Sequence, residues 1–406
     1  MQDRIKEYAS LIVRVGANVQ KGQTVVVSGS ADNAWFVRML AEECYDAGAR
    51  EVVVRWKDDT LTRMKYLRAD ETVFDSVPKW LTEFFNGYAA ERASLIGIMD
   101  DDPELLNGVD AGRIQRYGRA SGEALKGYRE AQMRNEFAWC GVSIPSPAWA
   151  KKVFPGAAEK EAVEKLWDAI LKAVHVGGGK AVEIWREKIQ TMARRAETLT
   201  KYDFDKLIYQ NALGTDLTVG LPEGHKWVAC GDKARTGFTF VANMPTEEIF
   251  TLPKRGAADG VLYASKPLSL NGNLINDIVF TFKGGKIVDA KASSGLDILE
   301  KELELDEGAR YLGEVALVPY CSPINEMDIL FYNTLFDENA SCHFAFGKAY
   351  PAFLDDSLSA DAQKERGAND SFIHVDFMVG TEDLSITGVT KDGNKIPVFV
   401  NGNFAF

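Results

Sequence analysis

The sequence predicts two domains, an α/β N-terminal domain with a largely parallel sheet and an α+β, mainly antiparallel C-terminal domain. The chain has 406 residues, which is too long for a single hydrophobic core. Short apolar runs alternate with helix-length segments in its first half, whereas hairpin-turn signals recur in the second. We therefore divide the chain into residues 1–200 and residues 201–406, and we expect the functional site in the second part.

The N-terminal half alternates between strand and helix patterns. Its predicted strands are 24–29, 51–56, 94–99 and 137–142, and its predicted helices are 34–46, 72–86 and 112–135. Short apolar strands joined by crossover helices imply a parallel sheet that is covered on both faces. The first strand–helix turn, residues 28–32, lacks the GxGxxG pattern, so a dinucleotide site is not expected.

The glycine-rich run at residues 177–180 is predicted to be a hinge or helix break. It resembles a phosphate-binding loop, but no Ser or Thr follows Lys180 and the preceding residues favour a helix rather than a strand. A charged helix over residues 181–199 is expected to connect the two domains. Function therefore has to be sought elsewhere in the chain.

Strands and tight turns dominate the C-terminal half. The predicted strands include 216–221 and 237–242, the predicted hairpin turns are 271–273, 283–286, 391–394 and 401–403, and one helix is predicted over 295–305. Since two-residue turns of this composition join antiparallel neighbours, the second domain is predicted to be mainly antiparallel.

The composition argues against a nucleic-acid-binding protein, a membrane protein and a disulfide-rich protein. The net charge is −12, from 59 acidic and 47 basic side chains, which argues against binding of a nucleic-acid backbone. The first residues lack the apolar core of a signal peptide, and no apolar run reaches the ~18–20 residues of a membrane helix. Five scattered cysteines without paired spacing predict neither disulfides nor a thiolate metal site. We expect a cytoplasmic protein.

Two strand patterns carry ionisable groups inside apolar runs. Residues 373–379 alternate as a strand does, so His374 and Asp376 point to the same face, where they suit a shared metal or a surface ion pair. Residues 311–318 carry Glu314 in mid-strand. Burying an unpaired carboxylate costs several kcal/mol or shifts its pKa, so this glutamate needs a cation.

Two further segments add candidates. If residues 341–350 were helical, His343 and Tyr350 would lie two turns apart on one face that Gly347 leaves open. A lone histidine beside aromatic residues is more often a hydrogen-bonded core residue than a ligand. The acidic pair Glu247 and Glu248 follows a proline turn, and alone it would be a solvated loop.

Together these positions predict a metal site without thiolate ligands. The candidates are three carboxylates and two imidazoles, namely Glu248, Glu314, His343, His374 and Asp376. Glu338 and Tyr350 lie near them in the sequence. Oxygen and imidazole ligands suit Zn²⁺, Co²⁺ or Mn²⁺ in a hydrolytic site. Several carboxylates would allow two ions to be bridged, an arrangement that activates water.

At these residues the chain resembles the aminopeptidase T family of metallo-aminopeptidases, which includes the bacterial aminopeptidase S and PepS enzymes. The resemblance covers essentially the whole chain in order. The matching segments are residues 19–23, 214–217, 243–248, 313–319, Glu338 with His343 and Tyr350, and 374–376. It implies a two-domain homodimer with a two-metal site in the C-terminal domain.

The resemblance also implies roles for the candidates. The metal ligands would be Glu248, Glu314, His343, His374 and Asp376, with two divalent ions bound. Glu314 would bridge, Tyr350 would donate to the oxyanion, and Glu338 would be a ligand or a proton shuttle. Register could favour Glu247 in place of Glu248.

The implied reaction is removal of the N-terminal residue from peptides with a free N-terminus. A water activated by two metal ions would attack the scissile carbonyl, and a carboxylate would carry its proton to the leaving amine. Two alternatives stay open: another two-metal hydrolase acting on an amide or a phosphoester, and a non-catalytic small-molecule-binding protein with a structural acidic cluster. Comparing substrates with free and acetylated N-termini tests the first alternative, and the second predicts no turnover with any metal.

Overall fold

The computed structural model describes residues 1–270, 273–350, 353–354 and 358–406. Within these ranges the α-helices are α1 (Gln2–Leu11), α2 (Ala34–Asp46), α3 (Asp59–Arg68), α4 (Lys79–Ala90), α5 (Ala111–Ala124), α6 (Lys126–Met133), α7 (Pro147–Val153), α8 (Glu159–Ala173), α9 (Ala181–Tyr202), α10 (Leu296–Leu303), α11 (Thr334–Asp337) and α12 (Ala360–Glu365).

The strands in the same ranges are β1 (Thr24–Ser30), β2 (Glu51–Lys57), β3 (Ser94–Met99), β4 (Trp139–Ser143), β5 (Phe204–Gln210), β6 (Asp216–Gly220), β7 (Val228–Ala229), β8 (Asp232–Lys233), β9 (Thr239–Phe240), β10 (Asn243–Met244), β11 (Ile249–Thr251), β12 (Ala258–Tyr263), β13 (Leu268–Leu270), β14 (Asn273–Ile275), β15 (Val279–Lys283), β16 (Lys286–Lys291), β17 (Leu312–Leu317), β18 (His343–Gly347), β19 (His374–Met378), β20 (Ser385–Thr390), β21 (Lys395–Val400) and β22 (Asn403–Phe404).

The chain divides into two compact units. The first contains residues 1–188 and 231–245, and the second contains residues 189–230 and 246–406. The predicted domains, residues 1–200 and 201–406, stay a prediction, because compactness does not show which segments fold on their own.

A parallel sheet forms the centre of the first unit. Its strand order is β10-β4-β3-β1-β2, and each neighbouring pair is parallel. Val25, Val26 and Val27 of β1 are almost completely buried, as expected for a strand that is covered on both faces. The four predicted strands of this half are all present, and the predicted helix over residues 34–46 coincides with α2.

Two predicted helices of this half differ from the observed ones. The helix predicted over residues 72–86 begins only at Lys79, because Pro78 has an extended ψ of 135° and restricts the residue before it. The helix predicted over 112–135 is divided into α5 and α6 at Leu125, whose φ of −101° and ψ of 14° lie outside the helical range.

Antiparallel sheets dominate the second unit. One sheet has the order β16-β15-β12-β6-β5-β20-β21-β22, and another has the order β19-β18-β17-β11-β7. Two-residue turns with positive φ join β15 to β16 and β21 to β22, as the sequence predicts. Residues 271 and 272 lie outside the described residues, but Leu270 pairs with Asn273 as a hairpin requires. The predicted fold class is confirmed.

The segment around His343 is a strand, and the helix considered for residues 341–350 is wrong. β18 pairs with β17 on one side and with β19 on the other. A continuous apolar run that is buried on both faces has no period that separates helix from strand, which is why its sequence is ambiguous. Gly347 has a φ of 107°, and a Cβ there would overlap the carbonyl oxygen of Ile373. The glycine therefore serves a close approach of two strands rather than an open helix face.

Within the described residues, no helix has both the length and the apolar character needed to cross a bilayer.

Candidate metal centre

The middle strand of the second five-stranded sheet carries the most deeply buried carboxylate of the site. All residues of β17 are buried, and Glu314 is only 4% exposed. The pairing of β17 with β18 shifts register between Leu312 and Glu314, so Gly313 occupies a bulge. A Cβ on Gly313 would overlap the carbonyl oxygens of Gly347 and Lys348. Since bulges re-aim neighbouring side chains, this glycine sets the direction in which Glu314 points.

One group of possible ligands lies around the first oxygen of Glu314. His343 Nε2 is 3.6 Å from Glu314 Oε1 and 3.3 Å from Glu248 Oε2. Single ligand atoms of these three side chains all lie within 4.8 Å of one another. Of the acidic pair 247–248, the structure thus places Glu248 against the histidine, whereas the backbone N–H of Glu247 donates to Asn339.

A second group lies around the other oxygen of Glu314. His374 Nε2 is 3.5 Å from Glu314 Oε2 and 3.3 Å from Asp376 Oδ1. One ligand atom from each of these three residues again lies within 4.8 Å of the others. His374 and Asp376 share one face of β19, as the alternation in the sequence predicts.

Backbone carbonyl groups orient both imidazole rings. His343 Nδ1 lies 3.3 Å from the carbonyl oxygen of Ser341, and His374 Nδ1 lies 2.7 Å from that of Lys348. A ring whose Nδ1 donates to a carbonyl presents the lone pair of Nε2 on its other side. Both Nε2 atoms face carboxylates, so both rings are oriented as metal ligands are.

The electrostatics of the cluster keep protons on the imidazoles when no cation is present. Burial lowers the pKa of His343, but Glu248 and Glu314 outweigh this effect and hold the pKa well above its ordinary value. Burial also lowers the pKa of His374, but Asp376 and Glu314 raise it to about 9. Burial raises the pKa of Glu314. A divalent cation would take the place of these protons, which couples binding to proton release.

Two further predicted residues border this cluster. The buried carboxyl of Glu338 interacts with Glu248, Asp376, His343 and Glu314, and burial and these carboxylates hold its pKa well above the ordinary value. The ring of Tyr350 lies 4.8 Å from the ring of His374, and its pKa is raised first by burial and then by Glu314. The structure therefore brings every predicted site residue to one place.

Comparison with known proteins decides the family. Residues 1–404 match the Peptidase M29 family, described as thermophilic metalloprotease. The chain is 44% identical over 405 residues to aminopeptidase AmpS of Bacillus subtilis (strain 168), covering 99% of this chain and 98% of that protein. It is 39% identical over 406 residues to aminopeptidase PepS of Streptococcus thermophilus, with 99% and 98% covered. The chain belongs to the Peptidase M29 family.

A solved structure agrees with this assignment. The wild-type AmpT structure from Thermus thermophilus matches this M29 chain with a TM-score of 0.94 at 36% identity, covering 100% of both chains. The resemblance to the aminopeptidase T family is confirmed, and with it the prediction that the chain is a metallo-aminopeptidase by family.

The donor set of the M29 chain fits divalent metal ions. Within the described ranges, the ion pairs of Glu248, Glu314 and Asp376 are all with histidines. Buried carboxylates require cations as partners, and carboxylate oxygens with imidazole nitrogens are ligands that Zn²⁺, Co²⁺ and Mn²⁺ accept. Metal binding would therefore relieve the excess of negative charge.

Sequence reasoning missed Asn339, which holds two parts of the site together. Asn339 is fully buried, its Oδ1 accepts a hydrogen bond from the backbone N–H of Glu247, and its Nδ2 donates to the carbonyl oxygen of Leu335. The only signal was a polar residue directly after Glu338. Its partner Glu247 is 92 positions away, so no local pattern reports the contact.

Proposed function

We propose that this M29 chain is an aminopeptidase that removes N-terminal residues from peptides, using two divalent metal ions to activate the attacking water. The observation that carries the proposal is the position of Glu314, whose two oxygens each face a separate group of possible ligands. A carboxylate placed in this way suits a bridge between two ions. The relatives named as aminopeptidases support peptides as the substrates.

The proposed ligands follow from the two groups. One ion would be held by Glu248, Glu314 and His343, and the other by Glu314, His374 and Asp376. The ions would be Zn²⁺, Co²⁺ or Mn²⁺, because the donors are oxygen and imidazole nitrogen. When bound, such ions lower the pKa of water and polarise a carbonyl group.

The remaining side chains have their own proposed roles. Glu338 would act as a further ligand or carry a proton from the water to the leaving amine, since its carboxyl interacts with both groups. Tyr350 would donate its hydroxyl proton to the developing oxyanion, a role that suits a phenol kept neutral by burial and carboxylates. The acidic surroundings would attract the α-ammonium group of a peptide, which favours a free N-terminus.

Amine release from a free tripeptide and from its N-acetylated twin tests the proposal. Chelated protein would be reloaded separately with Zn²⁺, Co²⁺ and Mn²⁺, and bound metal would be measured each time. We expect metal-dependent cleavage of the free peptide alone. Cleavage of both peptides would indicate a broader amide hydrolase. No cleavage of either, with metal bound, would refute the aminopeptidase proposal.

We also propose that the chain forms homodimers and acts in the cytoplasm. The first proposal rests on the family resemblance, and the second rests on the composition. Sedimentation equilibrium at several protein concentrations would test the first proposal. Fractionation of the source cells would test the second.

A further inference from the structure

A small cavity lies beside the candidate metal centre in the second unit. Its volume is about 70 Å³. Two of its lining residues, Glu338 and Asp376, belong to the candidate site. The others come from residues 267–269, from residues 332–337 and from Met378 of β19. A molecule in this cavity would therefore touch carboxylates of the centre directly.

Polar and apolar side chains both line the cavity. Leu268 and Met378 are buried, with 6% and 3% of their surface exposed, and they contribute apolar surface. Ser269 and Thr334 are exposed and contribute polar groups. With an acidic wall on one side, this arrangement suits a ligand that combines a cationic group with a short apolar chain.

The wall formed by residues 332–334 is preformed. Both oxygens of the buried Asp337 carboxylate accept backbone hydrogen bonds, one from Phe331 over 2.8 Å and one from Asn333 over 3.0 Å. The side chain of Asn333 in turn accepts a hydrogen bond from the backbone N–H of Leu335 at the start of α11. Since these bonds hold the wall in place, a ligand does not have to order it on binding.

The volume of the cavity limits the size of that ligand. An apolar cavity of about 150 Å³ holds a benzene molecule. At about 70 Å³ this cavity is roughly half as large. It therefore has room for an aliphatic side chain but not for a phenyl or indole ring.

We propose that this cavity binds the side chain of the substrate's N-terminal residue and selects small and medium aliphatic residues over aromatic ones. The proposal rests on the aminopeptidase function proposed above. Leu268 and Met378 contact the side chain, and the wall containing Glu338 and Asp376 lies toward the α-ammonium group. Leu268 is then the residue that limits the size of the accepted side chain.

A matched pair of variants in β13 tests the proposal. Leu268 and Leu270 are on the same strand, two positions apart, and 6% and 9% exposed, but only Leu268 lines the cavity. The kcat/KM values would be measured on metal-loaded protein with tripeptides that differ only in a first residue of Ala, Leu, Phe or Trp. We expect the native protein to prefer Ala and Leu, and Leu268→Ala to raise the Phe-to-Leu ratio by about tenfold or more. Leu270→Ala should leave that ratio within about twofold of the native value.

A second variant covers the case in which Leu268→Ala fails to fold. Thr334 lines the cavity and is exposed, so Thr334→Trp is expected to fold and to obstruct the cavity. It should raise KM for the Leu peptide and leave kcat nearly unchanged. An unchanged KM would count against the proposal.

Binding provides a readout that does not require turnover. Calorimetry with leucine amide and tryptophan amide should show that Leu268→Ala, but not Leu270→Ala, gains affinity for the tryptophan compound. If the native protein cleaves no peptide, but Leu268→Ala gains affinity for tryptophan amide and Leu270→Ala does not, the proposed function fails and the cavity proposal stands. If native protein cleaves peptides and the two leucine variants shift the Phe-to-Leu ratio equally, the cavity proposal is overturned.

Discussion

The side-chain oxygen of Asn339 accepts a hydrogen bond from the backbone N–H of Glu247 over 2.7 Å. The neighbours of these two residues, Glu338 and Glu248, both belong to the candidate metal centre. The amide nitrogen of Asn339 donates to Leu335 in its own segment, so one side chain connects two segments that are distant in sequence. We infer that Asn339 positions the carboxylates of both segments without itself touching substrate.

Replacing Asn339 by alanine tests this positioning role. We expect metal affinity to fall by about 10- to 100-fold, the usual effect of removing a residue that orients metal ligands. Competition with a chelator would measure the affinity. Asn325→Ala is the control, because it removes a side-chain hydrogen bond to Tyr320 elsewhere in the unit. If both variants bind metal equally well, the positioning role is wrong.

Glu314→Gln tests the proposed bridge between the two groups of ligands. Glutamine keeps the size of the side chain but loses the charge, so two cations would lose their shared anionic ligand. We expect at least a hundredfold loss of kcat and a lower metal content by elemental analysis. Full activity with the native metal content would show that the assignment is wrong. Glu302→Gln in α10 serves as a control for the chemical change.

Tyr350→Phe separates catalysis from binding. If the hydroxyl group donates to the oxyanion, its removal lowers kcat by about 10²–10³-fold, and KM changes much less. The phenyl ring would keep the contact with His374, so metal content should remain native. A variant that loses metal instead, with kcat per bound metal unchanged, would assign the tyrosine a structural role.

Gly313→Ala probes the bulge that directs Glu314. A Cβ at this position would overlap two backbone carbonyl oxygens, so we expect a loss of about 1–3 kcal/mol in the free energy of unfolding. Urea denaturation measures it. Gly118→Ala in α5 is the control, because its Cβ would meet nothing within 4 Å and should stabilise the helix by about 0.5–1 kcal/mol. Equal effects at the two sites would contradict the role of the bulge.

His225 predicts a pH dependence of stability that is separate from the metal centre. Burial lowers its pKa, although the carbonyl oxygen of Pro222 and the carboxylate of Asp203 oppose this, and Lys391 adds to the lowering. The folded protein then binds a proton less readily than the unfolded chain, so His225 costs stability as the pH falls below the ordinary value of about 6.5. His225→Gln should therefore flatten the fall in unfolding free energy between about pH 7 and about pH 5. An unchanged slope would contradict this.

The part of the site that could be predicted consists of ionisable side chains in an unusual local sequence context. Glu314 lies in an apolar strand, and His374 and Asp376 are spaced two residues apart as on one face of a strand, so their role as candidate ligands could be predicted. The conformation around His343 could not be predicted, because a fully buried run has no period that separates helix from strand. The role of Asn339 could not be predicted, because its hydrogen-bond partner Glu247 is 92 positions away and a polar residue after Glu338 does not report that contact.

The amino-acid pattern alone predicts the order of elements, the parallel and antiparallel halves and the candidate metal ligands. It does so because burial, turn chemistry and charge are local properties of the chain. The positions of Glu314 between two histidines, and of Leu268 and Met378 in the lining of a small cavity beside the site, follow from the three-dimensional packing. These relationships depend on strand register and on contacts between distant segments, and neither is encoded in any single stretch of residues.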